Sequence, residues 1–596
     1  MSINTIKNQL QTNKIILKQP CEEVFQAAKN FGLTDLQATL VANRTNSTEQ
    51  LDEILFPKLK HIQHPSALKN IEQATEIIIQ AIKGNGLIVL ATDYDTDGVT
   101  SAWVATTALC EYFQVEKSRI VHVIGDRKNG YGITNEVVER ILAIKKPIEL
   151  VISADQGSSD EERIATLKKH GIKVCVTDHH QIPVEGPPTS AACTVNPQQE
   201  GCQYDKTVAG CFVIFLVMTQ VRQAMIKQGL LSDQTPSLKY LAHNVALGTV
   251  ADSVSLKSPN NRAIVQAGLQ IINQFQSPAW QAMRALQDNN GSPFDAEYLG
   301  FQVATRINAA SRVSDVTTAF KFLSSSSFPE ATIHLQQLDD DNLKRRAQQH
   351  SMLEQAQNLA QQRYGKNTFS LALKLSGNAG IQGIIASRIG EQFGVPTVAM
   401  TDLEDGYLAG SARGIVEDVD LREAFQWMSE QKSDLFVSMG GHKGAAGCMI
   451  PIDFYDEFAT LFEEAIRLQL GGAPPVPTVY SDGVLDDSNL TPNILNEISA
   501  LEPFGRDWQA PIFSGEFTIL QIRYVGKPKV HLSCKLANAS GKAFQAIFFN
   551  AKQDETDVLP FTVGQKLHCA YQPSLNNYAG RQNLQLRIKT LVPICE

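Results

Sequence analysis

Three short apolar runs in the first third of the chain each end on acidic residues, and that repetition constrains the fold more than any other feature. Leu87 to Ala91 runs into Thr92-Asp93-Tyr94-Asp95-Thr96-Asp97-Gly98, Ile148 to Ala154 ends at Asp155-Gln156-Gly157, and Ile172 to Thr177 ends at Asp178-His179-His180. Continuous apolar runs of this length, β-branched in part, read as buried parallel strands. Helical patterns lie between them at Val99 to Tyr112, Thr134 to Ala143 and Glu161 to His170, with further strands at Arg119 to Ile124 and Ser190 to Val195. Repeated β-α-β at this spacing means one parallel sheet with right-handed crossovers, covered by helices. Such sheets bind ligands at the carboxyl ends of their strands. The acids and histidines lie there.

Carboxylates this close repel one another, and a cluster of them is tolerated mainly when a divalent cation neutralises it. A single Asp-rich turn is equally well explained by helix capping and turn chemistry. Three strand ends that deliver Asp95 and Asp97, Asp155, and Asp178-His179-His180 to one edge of one sheet are not. Mixed carboxylate and imidazole groups suit Mn²⁺, Mg²⁺ or a similar cation better than the sulfur-rich sets of structural zinc. About five such groups would serve two ions sharing a bridging carboxylate, the arrangement that promotes attack of water on a phosphoryl centre. Downstream, a helical Tyr240 to Gly248 runs into Thr249-Val-Ala-Asp252, where Asp252 taken alone is an N-cap or turn residue.

The length of 596 residues is too great for one core and sets an expectation of about three or four domains. With 43% hydrophobic and 19% charged residues the chain is ordinary globular material. No uninterrupted apolar run nears the ~20 residues of a membrane helix. The start Met1-Ser-Ile-Asn-Thr-Ile-Lys7 lacks a signal-peptide core, and the ten cysteines form no Cys-x-x-Cys pair. The expectation is a cytoplasmic protein with reduced thiols and no membrane association. A net charge of −9 leaves the partner open, because binding nucleic acid requires a local positive groove rather than a positive total.

Residues 1–75 read as a helical N-terminal region, from apolar spacings of three and four over Cys21 to Asn30, Asp35 to Asn43 and Thr48 to Ile54. Pro329 to Arg363 carries few apolar residues, and no proline or glycine occurs from His334 to Tyr364. That predicts a long polar helix bridging two domains with little burial of its own. Strands at Phe369 to Leu375 and Thr397 to Met400, around a helix Ile381 to Phe393, restart an α/β pattern. Gly471-Gly-Ala-Pro-Pro-Val-Pro477 marks a linker. Beyond it, β-rich runs over Glu516 to Val525, Lys529 to Leu536, Ala543 to Phe549 and Lys566 to Gln572 predict a small barrel of the OB type. There Arg523, Tyr524, Lys527, Lys529 and Arg581 could meet unpaired bases and their phosphates.

Taken in order, Asp93-Tyr-Asp95-Thr-Asp97-Gly98, Asp155-Gln-Gly157, Asp178-His179-His180 and Gly248-Thr-Val-Ala-Asp252 resemble the four motifs of the DHH phosphoesterases. Gly440-Gly-His442-Lys-Gly-Ala-Ala-Gly447 resembles the signature of the DHHA1 domain that accompanies that core. Asp126-Arg127 with Gly130-Tyr-Gly132, Arg306-Ile-Asn-Ala-Ala-Ser-Arg312, Gly383-Ile-Ile-Ala-Ser-Arg388, Gly410-Ser-Ala-Arg413 and Leu501-Glu-Pro-Phe-Gly505 extend the likeness. From about residue 25 to the end, the chain is similar to the branch of that family formed by single-strand-specific 5′ to 3′ exonucleases.

The resemblance implies an α/β architecture: a parallel-sheet DHH catalytic domain over 76–328, a connecting helix over 329–365, an α/β DHHA1 domain over 366–470 and an OB-like nucleic-acid-binding barrel over 478–596. It implies two Mn²⁺ or Mg²⁺ ions held by Asp95, Asp97, Asp155, His179 and Asp252, with Asp155 bridging. His180 would face the scissile phosphate or complete the metal site, while Asp93 and Asp178 would orient the ligating groups. Arg127, Ser411 and Arg413 would engage the 5′-terminal phosphate, Arg306 and Arg312 the phosphates of the entering strand, and Gly440, Gly441 and His442 a further phosphate. The implied activity is release of mononucleotides from the 5′ end of single-stranded DNA, in repair and recombination. The chain would act as a monomer in a channel between the DHH and DHHA1 domains, with a single-strand-binding protein or a helicase as partner.

Two positions depart from the family pattern. Some members carry a histidine four residues before the first ligating aspartate, where this chain has Ala91, which implies a looser hold on one ion. Members of the exonuclease branch often carry a Trp-His pair where this chain reads Gly377-Asn378-Ala379-Gly380. Two rivals therefore stay open. One is a DHH phosphodiesterase acting on short oligonucleotides or cyclic dinucleotides, which would need neither the long N-terminal region nor the barrel. The other is a non-catalytic single-strand-binding protein on the same core, against which the complete set Asp95, Asp97, Asp155, His179 and Asp252 argues.

Overall fold

The computed structural model describes residues 14–286, 292–403, 406–552, 555–578 and 581–594. It divides into two compact units. One holds the described residues up to Asn46, Arg345–Ala500 and the chain from Ala510 onward; the other holds Ser47–Lys344 together with the segment Leu501–Gln509. The described chain opens on a strand, β1 (Lys14–Leu17), where the sequence predicts helix throughout. Helices Glu22–Asn30, Asp35–Ala42 and Leu51–Leu55 then follow in the expected order.

Strands β2 (Leu87–Thr92), β3 (Ile120–Ile124), β4 (Ile148–Ala154), β5 (Val174–Thr177) and β6 (Cys193–Val195) form one all-parallel sheet in the order β3-β2-β4-β5-β6. β2 and β5 are buried along their whole length, as strands covered on both faces must be. On one face Val89, Val151 and Val176 pack with Val137 and Ile141 of helix Asn135–Leu142 and with Ile164 and Leu167 of helix Glu161–Lys169. Helices Thr96–Thr107, Gly210–Lys227 and Ala242–Ala251 pack together with the sheet on the other. The first of these gives way to a single π turn, Ala108–Tyr112, where the sequence predicts one continuous helix. By length and composition alone Gly210–Lys227 could cross a membrane, but most of it is buried in this core, where a helix apolar all round belongs. After β2 the chain steps to β3 on one side and then back to β4 on the other. The strand order thus reverses at β2, and the crevice at the carboxyl ends of β2 and β4 is where such a sheet binds ligands.

Helix Phe328–Arg363 carries the chain from one unit into the other. Contrary to the expectation of little burial, it buries a stripe: Ala331, Leu335 and Leu338, then Asn342, Arg345 and Gln349, then Met352, Ala356 and Ala360. The steps of three and four keep these residues on one side of the helix. The stripe is hard to read because alanine and buried polar groups supply most of it.

In the second unit β7 (Leu371–Leu375), β8 (Thr397–Asp402), β9 (Tyr407–Arg413), β10 (Ser438–His442) and β11 (Ala445–Pro451) form a sheet in the order β10-β11-β9-β8-β7, of which only β7 and β8 run parallel. Strand β12 (Thr478–Ser481) pairs in parallel with β1, from Lys14 opposite Thr478 to Leu17 opposite Ser481. A buried ion pair between Arg44 and Asp482, at 3.1 and 3.2 Å, stands beside this pairing. The barrel itself starts only at β13 (Phe513–Val525) and continues with β14 (His531–Asn538), β15 (Ala543–Phe548), β16 (Lys566–Tyr578) and β17 (Arg581–Pro593), closed in the order β13-β14-β15-β17-β16. Closure leaves no free edge, and five strands in this arrangement make an OB-like barrel.

Candidate functional site

The three strand ends meet as their order requires. Asp93, Asp95 and Asp97 follow β2, Asp155 follows β4, and Asp178, His179 and His180 follow β5. Asp252 comes from elsewhere, as the C-cap of helix Ala242–Ala251 rather than an N-cap. Asp95 caps helix Thr96–Thr107, its Oδ1 accepting from the backbone N–H groups of Asp97 and Gly98 at 2.9 and 3.1 Å. Asp97 is buried, and its two oxygens accept from the N–H groups of Gly210 and Cys211 at 2.7 and 2.8 Å. The start of an 18-residue helix thus faces that carboxylate, where its dipole favours negative charge. A Cβ on residue 210 would fall 2.5 Å from Asp155 Oδ1, so this approach is open only to glycine. Asp155 holds a left-handed φ of 60°, which aspartate tolerates better than most residues.

Asp178 points away from the cluster and ties the loop together. Its oxygens accept from the N–H groups of Ser158, His179 and His180 at 3.0, 2.7 and 3.2 Å, and from His180 Nδ1 at 2.8 Å. Against the upward push of burial, the charge and hydrogen bond of His180 hold the Asp178 carboxyl below its usual range. Burial would lower His180, but Asp178 raises it to about 9. Burial and the charge on His180 lower the His179 imidazole, which favours the neutral form a metal ligand needs. The His179 ring is hydrogen-bonded to the Val208 backbone. Its Nε2 lies 3.2, 3.6 and 3.8 Å from Asp155 Oδ1, Asp252 Oδ2 and Asp97 Oδ2.

His179 Nε2, Asp155 Oδ1 and Asp93 Oδ1 are buried and make no hydrogen bond, despite carboxylates within reach of the imidazole. Orphaned buried polar atoms are costly. Atoms aimed at common points rather than at one another are what a cation requires. Three overlapping groups could each hold an ion: Asp155, His179 and His180; Asp97, His179 and Asp252; Asp93, Asp95 and Asp155. Burial pushes the carboxyls of Asp93, Asp95, Asp155 and Asp252 above their ordinary range, and their neighbours' charges, Asp95 on Asp93 and Asp97 on the other three, push further the same way. Among the described residues, oxygen and imidazole donors without sulfur fit Mn²⁺ or Mg²⁺.

Residues 87–249 match the DHH family N-terminal domain, 365–468 the DHHA1 domain and 481–590 the RecJ OB domain. Over 564 residues the chain is 30% identical to the single-stranded-DNA-specific exonuclease RecJ of Haemophilus influenzae, covering 93% of this chain and 95% of that one. The chain belongs to the RecJ family. Its fold is that of the crystal structure of RecJ with Mn²⁺ from Thermus thermophilus, at TM-score 0.77 and 22% identity over 99% of this chain and 80% of that one. A crystal structure of exonuclease RecJ bound to manganese matches at TM-score 0.54 and 26% identity, covering 67% of this chain and 94% of that one.

The remaining residues to which RecJ resemblance gives a role divide between the two units. In the first, the Arg127 guanidinium lies 4.3 Å from the centre of the Tyr94 ring, its Nε buried without a hydrogen bond. Arg312 is near enough for its charge to act on the Tyr94 phenol. Arg306 Nε donates to Asp339 at 2.9 Å and Nη1 to the Gln302 carbonyl at 2.7 Å. In the second unit the register aligns Ser411, Gly447 and Gly440 in one row, and Arg413, Ala445 and His442 in another. Gly440, Gly441 and His442 form part of an exposed edge strand. Arg413 donates to the Ala412 carbonyl at 2.8 Å. In the barrel Tyr524 stacks beneath Lys552, while the side chain of Arg581 lies outside the described residues.

Four contributing residues carry no role in the sequence reading. Gly210 and Cys211 hold Asp97 from more than a hundred residues away; small residues opening an apolar helical run are their one local signal. Tyr131 belongs to a recognised Gly-Tyr-Gly marker. Its hydroxyl donates to the Asp155 carbonyl at 3.0 Å and lies 2.8 Å from His180 Nδ1. Asn308 Oδ1 accepts from the N–H and the hydroxyl of Thr96, both at 2.8 Å.

Proposed function

We propose that this chain is a divalent-metal-dependent exonuclease that removes nucleotides from the 5′ end of single-stranded DNA. The observation that carries the reading is the convergence of orphaned carboxylate oxygens and the His179 nitrogen at the carboxyl ends of β2, β4 and β5. A relative named a single-stranded-DNA-specific exonuclease over nearly its whole length, and a related exonuclease bound to manganese, support the substrate and the metal. Asp95, Asp97, Asp155, His179 and Asp252 would hold two Mn²⁺ or Mg²⁺ ions, and Asp155, which belongs to two of the three groups as His179 does, would be shared between them. When bound, the ions neutralise the acidic cluster and make water nucleophilic enough to attack phosphorus.

The chain's own groups complete the chemistry. Asp93 offers its carboxylate with Asp95 and Asp155, so it is a candidate ligand and not only an orienting acid. Asp178 keeps a proton on His180 Nδ1, which leaves an imidazolium at the half-exposed rim of the site to face the scissile phosphate. The unbonded Arg127 Nε is available for a phosphate oxygen. Ser411, Arg413 and His442 would bind phosphate on the DHHA1 sheet. The chain would act as a monomer in the cytoplasm, alongside a single-strand-binding protein or a helicase.

The test is incubation with Mn²⁺ and single-stranded DNA labelled at its 3′ end, with duplex DNA and an Asp97→Ala variant alongside. Progressive shortening of the single strand from its 5′ end, lost in the variant, is the expected result. Cleavage that persists in Asp97→Ala, or products released from the 3′ end, would overturn it.

A further inference from the structure

The segment Leu501–Gln509 belongs to the unit that carries the acidic cluster, although the chain on both sides of it belongs to the other unit. Its anchoring is unusually complete. Arg262, buried at 1% exposure, donates to the carbonyls of Leu501, Glu502 and Pro503 at 2.9, 3.1 and 2.9 Å, and to those of Ile54 and Leu256 as well. The guanidinium also lies 4.6 Å from the ring of Trp508, which is fully buried and donates its indole N–H to the Leu501 carbonyl at 2.9 Å.

Gly505 and Trp508 exchange backbone hydrogen bonds at 3.0 and 3.2 Å, which puts Arg506 and Asp507 at the tip of a tight two-residue turn. Asp507, the second residue of the turn, takes a positive φ of 60°, as the same position of a type II turn does. The tip is fixed against the chain just beyond Asp252: the Leu256 N–H donates to the Arg506 carbonyl at 2.9 Å, and a Cβ on residue 505 would fall 2.6 Å from Leu256 Cδ1. The Arg506 side chain is exposed, and among the described residues its guanidinium makes no hydrogen bond and no ion pair. Its charge nevertheless acts on the Asp252 carboxyl. A rigid base thus presents an uncommitted cation at the rim of an acidic site, which would otherwise repel a polyanion.

We infer that Arg506 is a substrate-binding residue that grips a backbone phosphate of the single strand beside Asp252. A planar guanidinium suits two phosphate oxygens at once, and a preorganised tip loses little freedom on binding. The inference deepens the exonuclease reading and rests on it for the identity of the substrate. It also gives the C-terminal half of the chain a direct part in the site.

The experiment compares wild type, Arg506→Ala and Arg506→Lys. Binding of a 5′-phosphorylated oligodeoxythymidine is followed by anisotropy in EDTA, from about 50 to 300 mM NaCl, and steady-state cleavage is followed with Mn²⁺. The exposed tip predicts melting temperatures unchanged among the three. Arg506→Ala is expected to weaken binding roughly tenfold, to raise KM with little change in kcat, and to reduce the log–log salt slope by about 0.7, one phosphate contact on a single strand. Arg506→Lys should recover the slope and part of the affinity, which a merely structural role would not produce. Affinity within twofold of wild type with an unchanged slope overturns the inference, as does a loss confined to kcat. Wild type that binds the strand without shortening it sinks the exonuclease reading, while the slope still judges Arg506.

Discussion

Asp178 is the residue on which the local order of the site depends. It touches no point where a cation would sit, yet it receives three backbone N–H groups and the His180 imidazole, and so fixes where His179 and His180 begin. Replacing it with Asn keeps the size and one acceptor oxygen but removes the charge that holds the proton on His180. Losing an outer partner of this kind typically costs 10–100-fold in metal affinity or activity. Asp178→Asn is therefore expected to weaken Mn²⁺ binding by about that factor in electron paramagnetic resonance titrations, with the melting temperature of the metal-free protein lowered by only a few degrees. Unchanged Mn²⁺ affinity would reduce Asp178 to a turn-former. The sequence makes Asp178 and its histidines legible because they are consecutive and end an apolar strand. Asp252 is legible only through its place in a family motif. Tyr131 and Arg506 are not legible in role, because what defines them is a partner distant in sequence and near in space.

At the scale of elements, the local patterns are faithful and the long-range pairings are invisible. Strands β2, β4 and β5 announce themselves by apolar runs and turn residues, since each is largely buried and bounded by its own helix, whereas the edge strand β3 is only half-buried. Strand β1 gives no such signal: four residues whose one strand partner among the described residues is β12, from the far end of the chain, have no local reason to be extended. The segment Leu501–Gln509 is equally silent, because a motif cannot say which unit it joins. That docking depends on Arg262, whose donors are spread over five backbone carbonyls. Arg262→Lys keeps the charge but supplies fewer donors from a different geometry, leaving buried carbonyls unpaired at about 1–3 kcal/mol each. The variant should lose about 3–5 kcal/mol from the unit that contains the acidic cluster, seen by calorimetry as a lower first transition. A loss under about 1 kcal/mol would mean that Trp508 burial alone holds the segment.

The whole molecule carries a net charge of −9, and four of its carboxyls, Asp93 and Asp155 buried and Asp95 and Asp252 partly so, are crowded into one crevice. Their raised pKa values have a consequence for stability without metal. In the folded protein these groups hold protons that the unfolded chain releases near the ordinary value of 3.8, so their contribution is most favourable in acid and is lost as pH rises through the raised values. A bound divalent cation reverses the loss, because it pairs with the ionised groups and binds the folded state alone; at a hundredfold excess over its dissociation constant it contributes about 2.7 kcal/mol. The general repulsion that comes with net negative charge also grows with pH, but it is present with and without the metal and cancels in the difference. Mn²⁺ should therefore raise the melting temperature over that in EDTA by several degrees at pH 8 and by clearly less at pH 5.5, where protons compete for the same oxygens. In Asp155→Asn the metal-free protein should melt higher than wild type, one buried charge having been removed, while the Mn²⁺-dependent rise should nearly vanish. A rise that is independent of pH, or one that survives in Asp155→Asn, would place the stabilising ion somewhere other than this crevice.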